Sequence, residues 1–307
     1  DHHLDYSLHE SPVISNDGCD DTNESPAETS TLIVDLTKRF LSLYPHEGAN
    51  LSVVLYNCDS ARLPYSLVDK MNELHGAGVA LVTPFNSDES VDFEALGQLI
   101  DLQINEGMDY LVSLGTTGEV ATLTKEERKR IWDFTVKRVN GRLPLVAGIG
   151  GNNTAEIVEQ IKTFDPTGFC AILSVSPYYN KPTQEGIYQH YKAIAQVSPL
   201  PIILYNVPGR TGSNITAQTA LRLANDFSTI VAIKEASGNF AQFSEILRDK
   251  PKDFLLISGD DPVTLPMMAL GAVGIISVVG NAFPKRVASL AKLCSEGNYN
   301  EARTIHK

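Results

Sequence analysis

One lysine in the sequence has the surroundings of a nucleophile. Lys234 directly follows the apolar, β-branched run Thr-Ile-Val-Ala-Ile at residues 229–233. Burial in such a strand disfavours the charged ammonium and lowers its pKa, and the neutral amine is the form that attacks a carbonyl carbon. The competing interpretation is a structural ion pair with the adjacent Glu235, and Lys234 taken alone favours that interpretation.

A tyrosine on the preceding apolar run changes this balance. Tyr205 ends the run Pro-Ile-Ile-Leu-Tyr at residues 201–205. Neighbouring strands of a sheet lie ~4.8 Å apart, so a phenol at this end is within reach of a lysine on the next strand. Such a phenol can pass the protons that imine formation and carbon–carbon bond formation require. The pair therefore favours Schiff-base chemistry at Lys234.

Two further segments could bind an anionic substrate. The segment Gly-Thr-Thr-Gly-Glu at 115–119 offers successive backbone N–H groups and the hydroxyls of Thr116 and Thr117, a combination that binds carboxylates and phosphates. An ordinary glycine-rich turn is equally compatible with this segment. Arg210 lies in Asn-Val-Pro-Gly-Arg-Thr-Gly and could bind a carboxylate through two hydrogen bonds, although a solvated loop arginine is the plainer interpretation.

These segments follow the strands of a regular α/β pattern, in which apolar runs alternate with helical patterns. The predicted strands lie at 78–85, 110–115, 144–150, 169–177, 201–208, 229–235, 254–260 and 274–280. The predicted helices lie at about 92–106, 124–140, 152–164, 183–197, 216–226, 239–249, 262–270 and 284–296. Runs without polar alternation are typical of parallel strands that are buried on both faces.

Eight such units predict an α/β protein of the (β/α)8 TIM-barrel class, with its active site at the carboxyl ends of the strands. The competing architecture is a doubly wound open sheet. A dinucleotide enzyme of that kind would carry Gly-x-Gly-x-x-Gly after its first strand, whereas the first strand here ends in Thr-Pro-Phe.

Composition argues against several classes of function. Residues 1–30 hold eight acidic residues and no Lys or Arg, and removing these eight charges from the net −12 leaves −4 for the rest of the chain. This balance gives no basic face for a nucleic acid, and no apolar run approaches the ~18 residues of a membrane span. The four cysteines lie far apart, which indicates a reducing cytoplasm. His190 is the only histidine between His75 and His306, too few for a catalytic metal site.

Taken together, several motifs resemble the dihydrodipicolinate synthase family, also called the 4-hydroxy-tetrahydrodipicolinate synthase family. The motifs are GVALVTPF, GTTGE, SVSPYYNKPTQEG, YNVPGRTG, IKEASGN and SGDD, in the family's order from about Met71 to Lys307. The resemblance implies a class I lyase that condenses pyruvate with L-aspartate 4-semialdehyde in the diaminopimelate route to lysine. It also implies that no metal or other cofactor is required, and that the protein is a homo-oligomer, a dimer or a tetramer.

The resemblance assigns catalytic roles to four positions of this sequence. Lys234 matches the lysine that forms the pyruvate imine, and Tyr205 matches the acid/base tyrosine. Thr116 and Tyr179 match the residues that complete a proton relay, with Tyr179 reaching in from a neighbouring subunit.

Four further positions match substrate-binding residues. Thr117 would bind the pyruvate carboxylate, and Arg210 the carboxylate of the semialdehyde. Gly259 and Ile276 match positions whose backbone groups lie near the imine.

A possible regulatory site for lysine is also implied. Asn152, Glu156 and Tyr178 match the family's lysine-binding positions. Lys125 and Arg128 stand where strongly regulated bacterial members carry histidines. Because two added positive charges repel a cationic effector, the sequence predicts weak or no inhibition by lysine.

Three alternatives remain beside this interpretation. N-acetylneuraminate lyases and keto-deoxy sugar acid aldolases share the barrel, the lysine and the tyrosine. The sialic-acid lyases usually carry Ser-Thr in place of Thr116-Thr117 and lack the arginine that matches Arg210. The third alternative is an inactive, truncated barrel.

The ends of the chain lie outside the catalytic barrel, which we place at 71–296. Residues 1–30 are acidic and polar and are predicted to be disordered, and residues 31–70 form an α/β-like piece without a counterpart in the family. Residues 297–307 are predicted to begin a C-terminal helical extension that the chain truncates.

Overall fold

The computed structural model describes residues 73–307, so the predictions for 1–30 and 31–70 lie outside the described residues. Eight parallel strands in this part of the chain form a closed barrel in sequence order. The strands are β1 (Gly76–Ala80), β2 (Tyr110–Ser113), β3 (Leu145–Gly148), β4 (Ala171–Val175), β5 (Ile202–Asn206), β6 (Ile230–Glu235), β7 (Leu255–Ser258) and β8 (Gly274–Ser277). The predicted (β/α)8 barrel is confirmed.

Helices follow each strand and surround the barrel. They are α1 (Phe93–Asn105), α2 (Lys125–Val139), α3 (Thr154–Thr163), α4 (Gln184–Ala195), α5 (Pro208–Thr211), α6 (Ala217–Asp226), α7 (Phe240–Asp249), α8 (Thr264–Leu270), α9 (Pro284–Ser295) and α10 (Tyr299–His306). At the start of α2, the Thr124 N–H donates to Oε2 of Glu127 over 2.8 Å while the Glu127 N–H donates to Oγ1 of Thr124, which is a capping box.

The barrel closes where two glycines meet on neighbouring strands. Gly76 of β1 pairs with Gly274 of β8. A Cβ at Gly274 would lie 2.0 Å from the carbonyl oxygen of Gly76, so only glycine allows the strands to approach at this point.

Two apolar layers fix which side chains face the barrel interior. Ile203 and Tyr205 of β5 belong to the same buried cluster as Ala232 of β6, whereas Leu204 and Ile233 belong to the cluster beneath the helices. Successive side chains of a strand point to opposite faces, so Tyr205 and Lys234, which follow Leu204 and Ile233, face the barrel interior. The next residue on each strand faces the helices again.

The strand predictions run past the strand ends in several places. The 78–85 run is a strand only to Ala80, and its later residues form a loop in which the Thr83 hydroxyl donates to the Gly118 carbonyl. Four short 3₁₀ turns follow strand ends, at Thr116–Gly118, Val120–Thr122, Asp261–Val263 and Val279–Asn281. Within residues 73–307, none of the helices has the length and apolarity needed to span a bilayer.

Candidate active site

Lys234 and Tyr205 lie side by side at the carboxyl end of the barrel. They are register partners on β6 and β5, and both side chains face the interior layer. The Nζ atom of Lys234 lies 4.3 Å from the centre of the Tyr205 ring. The predicted contact between the amine and the phenol is therefore present in the structure.

The environment of Lys234 favours a neutral amine. The side chain is almost fully buried, and this desolvation lowers its pKa from 10.5 to about 7. The negative charge of Asp261 opposes this shift, and the positive charge of Arg210 adds to it. At neutral pH a large fraction of Lys234 is thus unprotonated and able to attack a carbonyl group.

Lys234 does not form the ion pair with Glu235 that the sequence left open. The two side chains leave β6 on opposite faces, and no ion pair joins them among the described residues. Glu235 is buried in the layer between the strands and the helices.

Tyr205 is linked to the loop after β2. Burial raises the pKa of Tyr205, while a hydrogen bond with Thr116 and the positive charge of Arg210 oppose that rise. The phenol therefore keeps its proton at neutral pH and can donate it to a neighbouring group. Lys234, Tyr205 and Thr116, three of the four predicted catalytic residues, are brought together within this chain.

The Gly-Thr-Thr-Gly-Glu segment is a 3₁₀ turn whose amides are partly used by the turn itself. The Gly118 N–H donates to the Gly115 carbonyl, and the Glu119 N–H donates to the Thr116 carbonyl. These two N–H groups are therefore not free to bind an anion, and the predicted anion-binding nest does not include them. Thr117 lies in the same turn, half-buried beside Thr116.

Gly259 directly follows β7, the strand beside β6, and Ile276 lies on β8, one strand further round the barrel. The Gly259 N–H donates to the Glu235 carbonyl over 2.8 Å, and a Cβ at Gly259 would lie 3.0 Å from Cγ of Lys234. Ile276 is fully buried on β8.

Asp261 is a functional candidate whose role the sequence analysis did not assign, although it lies in the quoted SGDD motif. Its carboxylate accepts hydrogen bonds from the Val278 N–H over 3.0 Å, the Val279 N–H over 3.2 Å and the Ser277 hydroxyl. It therefore ties the ends of β7 and β8 together while its charge acts on Lys234.

Arg210 lies on the short helix α5, directly beyond the end of β5. Its side chain is exposed, and its charge acts on both Lys234 and Tyr205. The position suits a cation that meets an anionic group entering the open end of the barrel.

Tyr179 is not buried with the other site residues. Its side chain is 85% exposed, its φ of 73° lies in the left-handed region, and its N–H donates to the Thr211 carbonyl over 3.4 Å. Within this chain its phenol faces solvent.

Two of the predicted regulatory residues are in contact. Asn152 donates through Nδ2 to the Tyr178 carbonyl over 3.3 Å. Glu156 lies on the wall of a cavity of about 620 Å³ between α2 and α3 that Lys125 and Arg128 also line. In residues 73–307 there is no group of three or more His, Cys, Asp or Glu side chains placed to hold a metal ion.

Known proteins share both this sequence and this fold. The model of the dihydrodipicolinate synthetase family matches residues 73–307. The 4-hydroxy-tetrahydrodipicolinate synthases of Parabacteroides distasonis and Phocaeicola vulgatus are 60% and 55% identical over 233 residues, which cover 76% of this chain and 78% of each of those proteins. The crystal structure of dihydrodipicolinate synthase from Aquifex aeolicus is 46% identical, with a TM-score of 0.73 over 76% of this chain and 79% of that one. The chain belongs to the dihydrodipicolinate synthetase family.

Proposed function

We propose that the chain is a 4-hydroxy-tetrahydrodipicolinate synthase, a class I lyase that condenses pyruvate with L-aspartate 4-semialdehyde. The observation that carries the proposal is the buried Lys234 amine against the Tyr205 ring at the open end of the barrel. The names of the relatives supply the product, 4-hydroxy-tetrahydrodipicolinate, and the resemblance of the motifs to the family supplies the two substrates, since the pair alone fits any pyruvate-dependent aldolase.

The first half of the reaction makes a nucleophile from pyruvate. The neutral Lys234 amine attacks the ketone carbon, and loss of one water leaves the imine. Tyr205, hydrogen-bonded with Thr116, supplies and removes the protons of these steps. The imine nitrogen then withdraws electrons, so the methyl carbon of pyruvate loses a proton and the imine becomes an enamine.

The second half joins the two substrates. The enamine carbon attacks the aldehyde carbon of the semialdehyde, whose oxygen becomes a hydroxyl group. The amino group of the semialdehyde then attacks the imine carbon and displaces the Lys234 amine, which closes the ring and regenerates the enzyme. One water leaves overall, and no electrons are exchanged with a third reactant.

Two cationic or polar groups are proposed to hold the carboxylates. Arg210 binds the carboxylate of the semialdehyde, and Thr117 binds that of pyruvate, near the backbone of Gly259 and Ile276. The carboxylate of the acceptor gives Arg210 a partner, whereas a sugar chain requires hydroxyl-binding groups. This difference favours the synthase over a sugar acid aldolase.

The setting of the reaction belongs to the same proposal. We place the enzyme in the cytoplasm as a homo-oligomer that acts on small molecules, with a neighbouring subunit supplying Tyr179. The substrate imine itself provides the electron sink, so the proposed steps call for no metal or organic cofactor.

Borohydride trapping tests the proposal. Reduction in the presence of pyruvate should leave a pyruvate-derived adduct on the peptide that contains Lys234, and aspartate semialdehyde should be consumed in preference to N-acetylneuraminate or keto-deoxy sugar acids. An adduct on another lysine would reject the assigned site. No adduct in the folded protein would support the inactive barrel, and consumption of the sugar acids alone would support the aldolase alternative.

A further inference from the structure

Behind the active site, Glu235 is a buried carboxylate that the proposed chemistry does not use. It is fully inaccessible to solvent, and within residues 73–307 no cationic side chain forms an ion pair with it. A buried charge without a counter-ion is costly unless hydrogen bonds replace its water. Such a group therefore calls for a structural explanation.

Hydrogen-bond donors surround this carboxylate. Asn206 donates through Nδ2 to both oxygens over 3.0 Å, Gln242 donates through Nε2 to Oε2 over 2.7 Å, and the Ser237 N–H donates to Oε1 over 2.9 Å. Burial raises the pKa of Glu235, and the bonds from Asn206, Ser237 and Gln242 oppose that rise. Because these partners are all donors, the arrangement suits the ionised, acceptor-only form.

The carboxylate orients two side-chain amides. Since Glu235 attracts the nitrogens of Asn206 and Gln242, their oxygens point away from it. Oδ1 of Asn206 then accepts from the Ile215 N–H over 2.9 Å, and Oε1 of Gln242 accepts from Nδ2 of Asn214 over 2.9 Å. Nδ2 of Asn206 also donates to Oδ1 of Asn214 over 2.7 Å, and Nε2 of Gln242 also donates to the Ile215 carbonyl over 3.1 Å.

These bonds connect the two ends of the segment that carries Arg210. Asn206 ends β5 immediately before the segment 207–215, and its side chain holds Ile215 at the far end of that segment. Arg210 lies between these two anchor points on α5. Asn206 and Glu235 are also register partners, one residue beyond the Tyr205–Lys234 pair, so one strand pair supports both the reacting groups and the Arg210 segment.

We propose that Glu235 is a positioning residue that fixes segment 207–215 and so holds Arg210 where it binds the carboxylate of the acceptor substrate. The inference rests on the proposed function for the identity of that substrate. The step from Glu235 to the segment is a matter of structure alone. Glu235→Gln keeps the size of the side chain but adds an N–H₂ group that faces donors. If the remaining oxygen keeps the bond from the fixed Ser237 N–H, the N–H₂ group faces Gln242, whose amide must then turn and release its bonds to Asn214 and Ile215.

Steady-state kinetics test the path through Arg210. In E235Q the KM for aspartate semialdehyde should rise by about tenfold, which is the scale of one lost hydrogen bond to a charged group. The KM for pyruvate and the yield of borohydride adduct at Lys234 should stay unchanged. In an R210A background the same substitution should add little, because Glu235 acts through Arg210. Equal increases in both KM values, or additive losses in the double variant, would overturn the proposal.

Hydrogen–deuterium exchange tests the structural step without any substrate. Peptides that cover residues 207–216 should exchange faster in E235Q than in the wild-type chain, and no faster in the control D226N. Asp226 is also a carboxylate that accepts a hydrogen bond, from the Tyr188 hydroxyl over 2.8 Å, and it lies on α6 outside this segment. Unchanged exchange in E235Q would overturn the proposal.

A second variant covers the case in which E235Q does not fold. Asn214→Ala, at a partly exposed position, removes the contacts that both amides make with the Asn214 side chain, and it should give the same pair of effects, a higher KM for the semialdehyde and faster exchange. Absence of both effects would overturn the proposal. If the wild-type chain consumes no semialdehyde, the proposed function fails, whereas the exchange comparison still decides whether Glu235 holds the segment.

Discussion

The pKa of Lys234 sets the pH dependence of imine formation. Below a pKa of about 7 the amine is protonated and cannot attack pyruvate, and above it the amine is neutral. The rate of adduct formation should therefore rise with pH through about 7 and level off above it. An ordinary lysine would give a rate that still rises near pH 10. The measurement is the initial rate of borohydride-trapped adduct across this pH range.

Arg210→Gln provides the companion measurement for this pH profile. The charge of Arg210 lowers the pKa of Lys234, so its removal should move the midpoint to higher pH. The D226N variant serves as control and should leave the midpoint unchanged. A midpoint near 10 in the wild-type chain would contradict the argument from burial.

A single methyl group at residue 259 should disturb the same amine. In Gly259→Ala the new Cβ would lie 3.0 Å from Cγ and 3.1 Å from Cε of Lys234, and 2.9 Å from Cβ of Ala236. These distances force the lysine to shift by a few tenths of an ångström, and imine formation should slow by roughly tenfold, less than the hundredfold that a displacement of about 1 Å can cause.

The matched control for this substitution is Gly209→Ala, because no atom of the described residues outside its chain neighbours and its own helix backbone lies within 4 Å of a Cβ built there. Both variants should keep the circular dichroism spectrum of the wild-type chain. Equal rates of adduct formation in the two variants would show that Gly259 has no part in placing the lysine.

At the scale of elements, the sequence predicted what depends on neighbours in the chain. The alternation of apolar runs and helical patterns located the barrel strands and the helices between them. The position of Tyr205 and Lys234 at the ends of successive strands was enough to expect their contact, since parallel strands in a barrel share one active end.

What the sequence did not predict depends on residues that meet only in the fold. Asp261 binds the backbone at Val278, and Glu235 binds Asn206, across separations that no local pattern encodes. The strand predictions also ran too far, because apolar residues such as Leu81 continue into buried loops where the ladder has already ended. Burial and strand pairing are different properties, and hydrophobicity reports only the first.

The cavity between helices α2 and α3 is the basis of the prediction about inhibition by lysine. Lys125 and Arg128 of α2 line the same cavity as Glu156 of α3, so a lysine ligand bound to Glu156 would meet their two positive charges. The same cavity is also lined by two further cations and three further carboxylates: Lys129, Lys137, Asp133, Glu159 and Asp165. We expect weak or no inhibition in a lysine titration of the condensation reaction. Strong inhibition at sub-millimolar lysine would reject this prediction.

A double variant separates charge from shape in this cavity. Lys125→His with Arg128→His removes most of the charge of two of the four cationic residues that line the cavity at neutral pH, since an ordinary histidine has a pKa near 6.5. Lysine should then inhibit at lower concentration than in the wild-type chain. The control Lys137→His changes a cation on the same cavity wall, several turns further along α2, and should have a smaller effect.

At the scale of the whole molecule, the exposed Tyr179 predicts a site shared between subunits, and mixed oligomers test it. If Tyr179 acts on a neighbouring subunit, Lys234→Ala and Tyr179→Phe chains are each impaired alone but regain activity when co-expressed and purified as mixed oligomers. The Tyr179→Phe subunit still has its lysine and receives an intact tyrosine from its K234A neighbour. If Tyr179 acted within its own chain, the mixture would contain no complete site and would stay as impaired as its components. Restored turnover in the mixed oligomer would therefore place the relay across an interface. As a control, a mixture of the two variants in monomeric form should show no restored turnover.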